Sequence, residues 1–406
     1  MAPLWLLSAG PIQAEDWRQW RGPTGDHHAP AGAVAPVRWS DSAGTDWVTP
    51  LPGRGHSSPT LVGGRIYLTT GDAAADTQSL LVLDRQSGEL LVETVAHRGG
   101  LNKRLHRNNT HASPTVASDG ERVFAVFGNS RAAWATAFDL DGRQLWQTRV
   151  SAYDPQEYEF GYGTSPVLVG DQLVVMSEYD GAGSSMTALD TATGDEVWRT
   201  LRPQKLSYSP PARYGGPDGL LLVSGNYRVA AYSAASGREL WNTPGPWQAT
   251  CNTMVWDPGS RLAFASGGYP AQRTMAVRLD GDHGVAWQQN VKCYEQSLSV
   301  VDGYLYGVSD RGVAYCWRCT DGAEMWRQRL GRGGSFSSSL VLVAGNLYAT
   351  SEAGTTFVFQ AAPSGYQPVA ENQLGDEAFA TPTPADGRLY HRFGRGRQQF
   401  LAAIGG

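Results

Sequence analysis

The sequence predicts an all-β fold, an eight-bladed β-propeller with four-stranded antiparallel blades, closed by an N-terminal strand joining the last blade. Three observations lead there. Glycine supplies 49 and tryptophan 14 of the 406 residues, which means many tight turns and many large flat pieces of core. Charged residues make up only 17%, too few for a disordered or coiled-coil chain. Third, a Ser or Thr followed by Pro or an apolar residue opens a short apolar run eight times. The pairs are Ser58-Pro59, Ser113-Pro114, Ser165-Pro166, Ser209-Pro210, Thr253-Met254, Ser297-Leu298, Ser339-Leu340 and Thr381-Pro382, at intervals of 42 to 55 residues. Self-similarity at such a period marks a repeat architecture.

In chain order, residues 1–14 read as a signal peptide. Residues 2–9 are apolar and Ile12-Gln13-Ala14 resembles a signal-peptidase site, so a periplasmic or extracellular location is expected. No apolar run is long enough to cross a membrane as a helix. Residues 15–36, rich in Pro, Gly and His, form a leader lying over the surface, and 37–406 form a single propeller domain. The eighth repeat is one strand short. Thr45-Asp46-Trp47, ahead of the first complete repeat, supplies that strand and closes the ring.

Each repeat follows one grammar. In the third, strands at 167–169, 173–177 and 186–190 are followed by a fourth carrying Trp198, with turns at Gly170-Asp171 and Thr193-Gly194. Turn glycine and Trp stand four apart in Gly142/Trp146, Gly194/Trp198, Gly237/Trp241 and Gly322/Trp326. Val92 and Val369 take the Trp place in the first and seventh repeats, and Trp287 follows a longer turn in the fifth. The indole is expected to pack on the neighbouring blade with its N–H on a carbonyl, and the glycine to take a positive φ. Asp84, Asp139 and Asp190 precede their turns, where a carboxylate accepts local N–H groups. Cys316-x-x-Cys319 falls on the same grid, at the places of Ala188 and Thr191. A local disulfide, buried thiols, and half of a metal site without a second pair are the alternatives there.

The run Ala188-Leu189-Asp190-x-x-Thr193-Gly194-x-x-x-Trp198 resembles the tryptophan-docking repeat of the pyrroloquinoline quinone (PQQ)-like β-propellers. That superfamily includes quinoprotein dehydrogenases and BamB-like outer-membrane assembly proteins, and the resemblance runs from about Asp46 to the C-terminus. Residues 16–23 and 50–59 look like the openings of planctomycete-type exported members. The resemblance implies the fold. Its dehydrogenase branch carries two adjacent cysteines over the cofactor, a Ca²⁺ site and a catalytic Asp. This chain has no Cys-Cys pair and no Asp/Glu/Asn cluster spaced for Ca²⁺. It also lacks G-x-S-x-G, H-E-x-x-H and a Walker loop. A member without catalytic machinery and without cofactor is therefore expected, PQQ with Ca²⁺ being the alternative.

Binding residues are sought at one mouth of the channel, where outer strands connect to the next inner strand. Counting back from each pair places His56, His111, Gly163, Ser207, Cys251, Glu295, Ser337 and Phe379 in a ring. One step on come Ser57, Ala112, Thr164, Tyr208, Asn252, Gln296, Ser338 and Ala380. The hydroxyls that follow are expected to bond local backbone or channel water. Two connections are long. Residues 98–111 carry Arg98, Lys103, Arg104 and Arg107; residues 151–163 carry Asp154, Glu157, Glu159 and, with Trp247, aromatic surface at Tyr153 and Phe160. Long loops on a rigid scaffold are where binding concentrates, and these two either grip a polar partner or neutralise each other. The candidate contacts are His56, His111, Tyr158, Tyr162, Tyr208, Asn252, Glu295, Gln296 and Phe336; no catalytic or metal residue is assigned. A net charge of −5 gives no footprint for nucleic acid. The expected function is a monomeric, non-catalytic binding or scaffold propeller of the bacterial cell envelope that meets a protein or envelope polymer. A PQQ-dependent oxidoreductase and a carbohydrate-binding propeller are the alternatives.

Overall fold

The computed structural model describes residues 16–216, 218–269 and 271–405; the expected signal peptide lies outside them. Eight four-stranded antiparallel sheets follow one another round a ring, and among the described residues every regular element is a strand. Blade 3 sets the pattern, running from channel to rim as Val167–Val169, Gln172–Ser177, Ser185–Asp190 and Glu196–Leu201. Its two middle strands are buried almost throughout, because neighbouring blades cover both faces. The rim strand alternates between half-buried and exposed residues, as an edge must. Blade 8 consists of Thr383–Ala385, Arg388–Arg395 and Gln398–Ile404, completed by Thr45–Leu51. Thr45 lies opposite Ile404 and Leu51 opposite Gln399, so the N-terminal strand closes the ring as expected.

The repeated Trp rings pack on the next blade, and three of them place the N–H on a carbonyl there, whereas Trp198 Nε1 donates to Gln172 Oε1 of its own blade. Trp146 Nε1 donates to Thr191 O at 3.1 Å, Trp287 Nε1 to Cys319 O at 2.7 Å and Trp326 Nε1 to Ala362 O at 2.8 Å. The turn glycine beneath the ring is required twice over. Gly194 has φ +78°, and a Cβ there would stand 2.7 Å from the Trp146 ring. Gly194→Ala should therefore destabilise by more than about 1 kcal/mol, since it adds strain where glycine has none. A lowered denaturant midpoint at constant m would show this. Blade 5 explains its longer turn: Trp241 stacks on the His283 imidazole there, at 4.5 Å and 7°. The cysteine pair obeys the grid as well. Cys316 lies opposite Trp326 as Ala188 lies opposite Trp198, and both Cys316 and Cys319 are buried free thiols.

The leader does more than lie over the surface. Residues 16–29 cross the channel at the end of the inner strands. Trp17 forms a β-bridge with Leu61 of blade 1, Ser118 N donates to Arg18 O, and Leu168 N donates to Gln19 Oε1. Trp20 Nε1 reaches Thr253 Oγ1 of blade 5, Arg21 Nη2 reaches Leu298 O of blade 6, and Leu342 N of blade 7 donates to His27 O. Trp17, Arg21 and His27 are 3%, 1% and 2% exposed, so this segment is built into the core.

Candidate functional site

The hydroxyl repeat fixes the level of the site. Thr381 N–H donates to Ser58 Oγ, Ser58 N–H to Thr115 Oγ1 and Thr115 N–H to Ser165 Oγ, all at 2.9–3.0 Å. Thr253 N–H donates to Ser297 Oγ, Ser297 N–H to Ser339 Oγ and Ser339 N–H to Thr381 Oγ1, at 2.9–3.1 Å. Six of the hydroxyls thus serve the backbone of the preceding blade, where local backbone or channel water was expected, while Thr253 Oγ1 accepts from the Trp20 indole of the leader. In blade 4, Ser209 Oγ instead donates to Asn252 O at 2.7 Å. In blade 2 the ring hydroxyl belongs to Thr115, and Ser113-Pro114 is the end of the long connection. Thr381→Val would leave the buried Ser339 N–H without its acceptor. A loss of about 1–3 kcal/mol is expected from equilibrium unfolding.

That two-residue shift changes the site. The blade 2 counterpart of His56 becomes Ser113, two residues beyond His111. At this level the mouth holds a cavity of about 210 Å³. Seven of the eight corrected ring positions line it, His56, Ser113, Gly163, Cys251, Glu295, Ser337 and Phe379; at blade 4 Tyr208 reaches in where Ser207 would. The two long connections roof it together. Asn109 Nδ2 donates to Phe160 O at 2.7 Å, and the His106 ring lies 4.8 Å from the Phe160 ring. Their charges pair with each other or nearby, Arg104 with Glu159 at 2.9 Å and Arg131 with Asp154 at 3.8 Å. Both pairs are exposed and contribute little to stability.

Burial sets the electrostatics. The Glu295 carboxyl is pushed up to about 7 by desolvation, with Glu352 and Asp310 adding to the rise and a hydrogen bond from Ser337 opposing it. The His56 imidazole is held well below its ordinary range by burial and by Arg54 and Arg392, so it is neutral at pH 7. Its ring stacks on Phe379 at 4.3 Å. The Cys251 thiol and the Tyr294 hydroxyl are hydrogen-bonded to each other, and burial pushes both upward. Neither is an ionised nucleophile near neutrality. A raised carboxyl pKa means that the native state holds the proton more tightly than the unfolded chain does. The stability that Glu295 contributes is full below about 4.5 and is lost as pH rises through about 7. Glu295→Gln should then raise the thermal midpoint at pH 8 and leave it nearly unchanged at pH 4.5. Equal shifts at both pH values would refute this.

Of the nine candidate contacts, His56, Tyr208 and Glu295 come together in the cavity. The other six do not join them. His111 is half-buried outside it, its carbonyl held by Gln78 Nε2. Tyr162 is a core residue whose hydroxyl donates to Met176 O at 2.8 Å. Asn252 Nδ2 donates to Ser266 O and Cys293 O, tying blade 5 to blade 6, and Gln296 Nε2 donates to Val308 O. Phe336 is buried against Phe357. Tyr158 lies at the rim of the loop face, 5.2 Å from the Phe160 ring and 6.1 Å from that of Tyr269. His106, Asn108, Asn109, Ser113 and Tyr294 also line the cavity and were missed. The length of the 98–111 connection was the signal for three of them, but length does not say where a loop tip lands.

A family profile described as outer membrane protein assembly factor BamB matches residues 37–182, 76–328 and 273–399. The chain belongs to that family. An outer membrane protein assembly factor BamB of Burkholderia pseudomallei is 28% identical over 156 residues, 36% of this chain; the match spans about a third of that relative's length, 35%. The crystal structure of BamB from Moraxella catarrhalis superposes with a TM-score of 0.63 at 14% identity, over 88% of this chain and 99% of that one. A quinohemoprotein alcohol dehydrogenase from Pseudomonas putida superposes with a TM-score of 0.65 at 14% identity, over 97% and 80%. At such identities these two likenesses speak for the shared propeller fold. The Ca²⁺ ligand set of the dehydrogenase branch is not matched at this BamB-family mouth. Ca²⁺ takes roughly six to eight oxygen ligands, whereas the cavity offers one carboxyl that is half-protonated near pH 7. Among the described residues no three His, Cys, Asp or Glu side chains are placed to share an ion. The cysteine at the mouth, Cys251, has no adjacent cysteine.

Proposed function

We propose that this BamB-family chain is an exported, monomeric, non-catalytic binding propeller of the cell envelope that engages a protein partner through its loop-roofed mouth. Residues 1–14 act as its signal peptide and 15–36 as its leader. The observation that carries the reading is the asymmetry of the two ends. One is filled by residues 16–29, while the other opens into a cavity lined by seven ring positions and two long loops. The name borne by the relatives, an assembly factor for outer membrane proteins, supports a protein as the partner. Photo-crosslinkers placed at Tyr158 and Arg104 on the loop face, and at Val34 in the leader, test it in intact cells. Discrete partner adducts are expected from the first two positions only. Equal labelling from Val34 would sink the reading.

An envelope glycan is the second reading, supported by the rings of Tyr158, Tyr227 and Tyr269 on the loop face, the last two 48% and 53% exposed. On a glycan array it requires binding that Tyr158→Ala abolishes.

A further inference from the structure

We infer that the mouth cavity is a receptor for an alkylammonium group, either a lysine side chain of the partner or a free quaternary ammonium ion. This rests on the mouth being the binding face and names what enters it. Four aromatic rings line the cavity, Phe160, Tyr208, Tyr294 and Phe379. They come from connections into blades 3, 4, 6 and 8, so they surround the space instead of stacking on one side of it. Glu295 is the one carboxyl among the described lining residues, and no Lys or Arg lines the cavity beside it. The nearest lysine, Lys292, is committed to Asp310 at 3.1 Å. A second carboxylate stands behind the wall: Glu352 Oε1 accepts from Ser337 Oγ at 2.7 Å and from Asn108 Nδ2 at 3.4 Å.

This combination selects by charge. Aromatic faces carry negative potential and attract cations, increasingly so when water is excluded. Glu295 and Glu352 add to that potential, so an anion is disfavoured by both walls and carboxyls. A neutral ligand gains apolar burial alone. Positive charge also stands near the cavity: Lys292, paired with Asp310, lies 4.9 Å from the centre of the Tyr294 ring, Arg107 acts on the His106 imidazole, and two arginines lie behind His56. Arg54 pairs with Glu377 at 2.5 Å, and Arg392 Nη1 donates to Ser57 Oγ and Thr69 O. His56 and His106 are both held below the ordinary imidazole range, so neither repels an incoming cation at neutral pH. An ammonium entering near pH 7 displaces the proton of Glu295 and leaves a carboxylate–ammonium pair between aromatic walls. The released proton passes to buffer.

The test is calorimetry on the purified chain at pH 7 with four probes. Nα-acetyl-lysine amide and tetramethylammonium are charged; Nα-acetyl-norleucine amide and neopentyl alcohol are their neutral counterparts. Saturable binding is expected for the charged pair alone. Its heat should differ between phosphate and Tris by the amount that proton release predicts. Glu295→Gln, checked for an intact thermal transition, should weaken the charged probes by about tenfold or more, the loss expected for one charge-assisted contact. Phe379→Leu, which keeps the carboxyl and removes one π face, should weaken tetramethylammonium by a smaller factor. Tighter binding of the lysine derivative assigns the site to a partner's side chain, and tighter binding of tetramethylammonium assigns it to a free quaternary ammonium ion. Neutral probes that bind as well as charged ones would overturn the inference, as would a Gln variant that binds like the native chain. No saturation by any probe, with loop-face crosslinks intact, would remove the ammonium site and leave the docking face standing. Loss of the crosslinks as well would remove both.

Discussion

Arg202→Ala is expected to lower the free energy of unfolding by about 3–5 kcal/mol, the cost of leaving a buried charge unpaired. Arg202 and Glu178 are the two side chains of an ion pair that water does not reach, each 0% exposed, with Nε and Oε1 2.6 Å apart. Asn226 Nδ2 donates to the same Oε1 at 2.8 Å, and Arg202 Nη1 meets the Tyr232 hydroxyl. Tyr232 in turn donates to Glu239 Oε2 at 2.8 Å. The network begins on blade 3 and ends on blade 4. Removing Arg202 strands a carboxylate between two sheets, where no solvent can relax around it. The pair is incompletely satisfied as it stands, because Glu178 Oε2 and Arg202 Nη2 find no partner. The double replacement Glu178→Leu with Arg202→Met should therefore recover most of the loss. Urea titrations of the three variants decide the matter. A loss below about 1 kcal/mol in Arg202→Ala would mean that the pair behaves like an exposed one.

Trp17→Ala should cost a similar amount, about 3–5 kcal/mol, as large-to-small changes of buried aromatics do. Trp17 belongs to the cluster that contains Leu51 of the closing strand, Leu61 of blade 1, and Tyr390 and Leu401 of blade 8. Its indole lies so close to Gly22 that a Cβ there would stand 2.5 Å from the ring. The leader is thus fastened at the seam of the ring. Val34→Ala, in the same leader at a position 62% exposed, should change stability by less than about 0.5 kcal/mol. Hydrogen exchange adds a spatial test: in Trp17→Ala, amides of Gln398–Ile404 should lose protection before those of blade 4. Uniform loss across all blades would contradict a role at the seam.

The fold was legible because it is periodic. Gly194 and Trp198 recur at matched places, and the same grid gave Cys316 the place of Ala188, each of which lies opposite its blade's rim Trp. The site was legible only where it inherits that period. His56, Glu295 and Tyr208 stand at fixed offsets from the ring hydroxyls, and counting found them. Where a loop changes length, counting fails. Residues 98–111 add to the chain ahead of blade 2, so His111 took the place that belongs to Ser113. Tyr162 and Phe336 failed for another reason. An aromatic side chain serves equally well as a platform or as core, and type alone does not separate the two. Asn252 and Gln296 carry amides that suit a ligand and suit a neighbouring carbonyl just as well. Here backbone carbonyls claimed them, Asn252 at the connection into the next blade and Gln296 within its own.

The strand that closes blade 8 also sets an order of events. Thr45–Leu51 is made before every other described strand, and its partner Gln398–Ile404 after all of them. Blade 1 therefore waits beside an open edge while seven further sheets are made, and the leader cannot bridge blades 1 to 7 until blade 7 exists. Pairings this distant along the chain are slow to form, and open edges left in the interval invite association with other chains. The yield of native protein should therefore depend on how long that early strand stays without its partner.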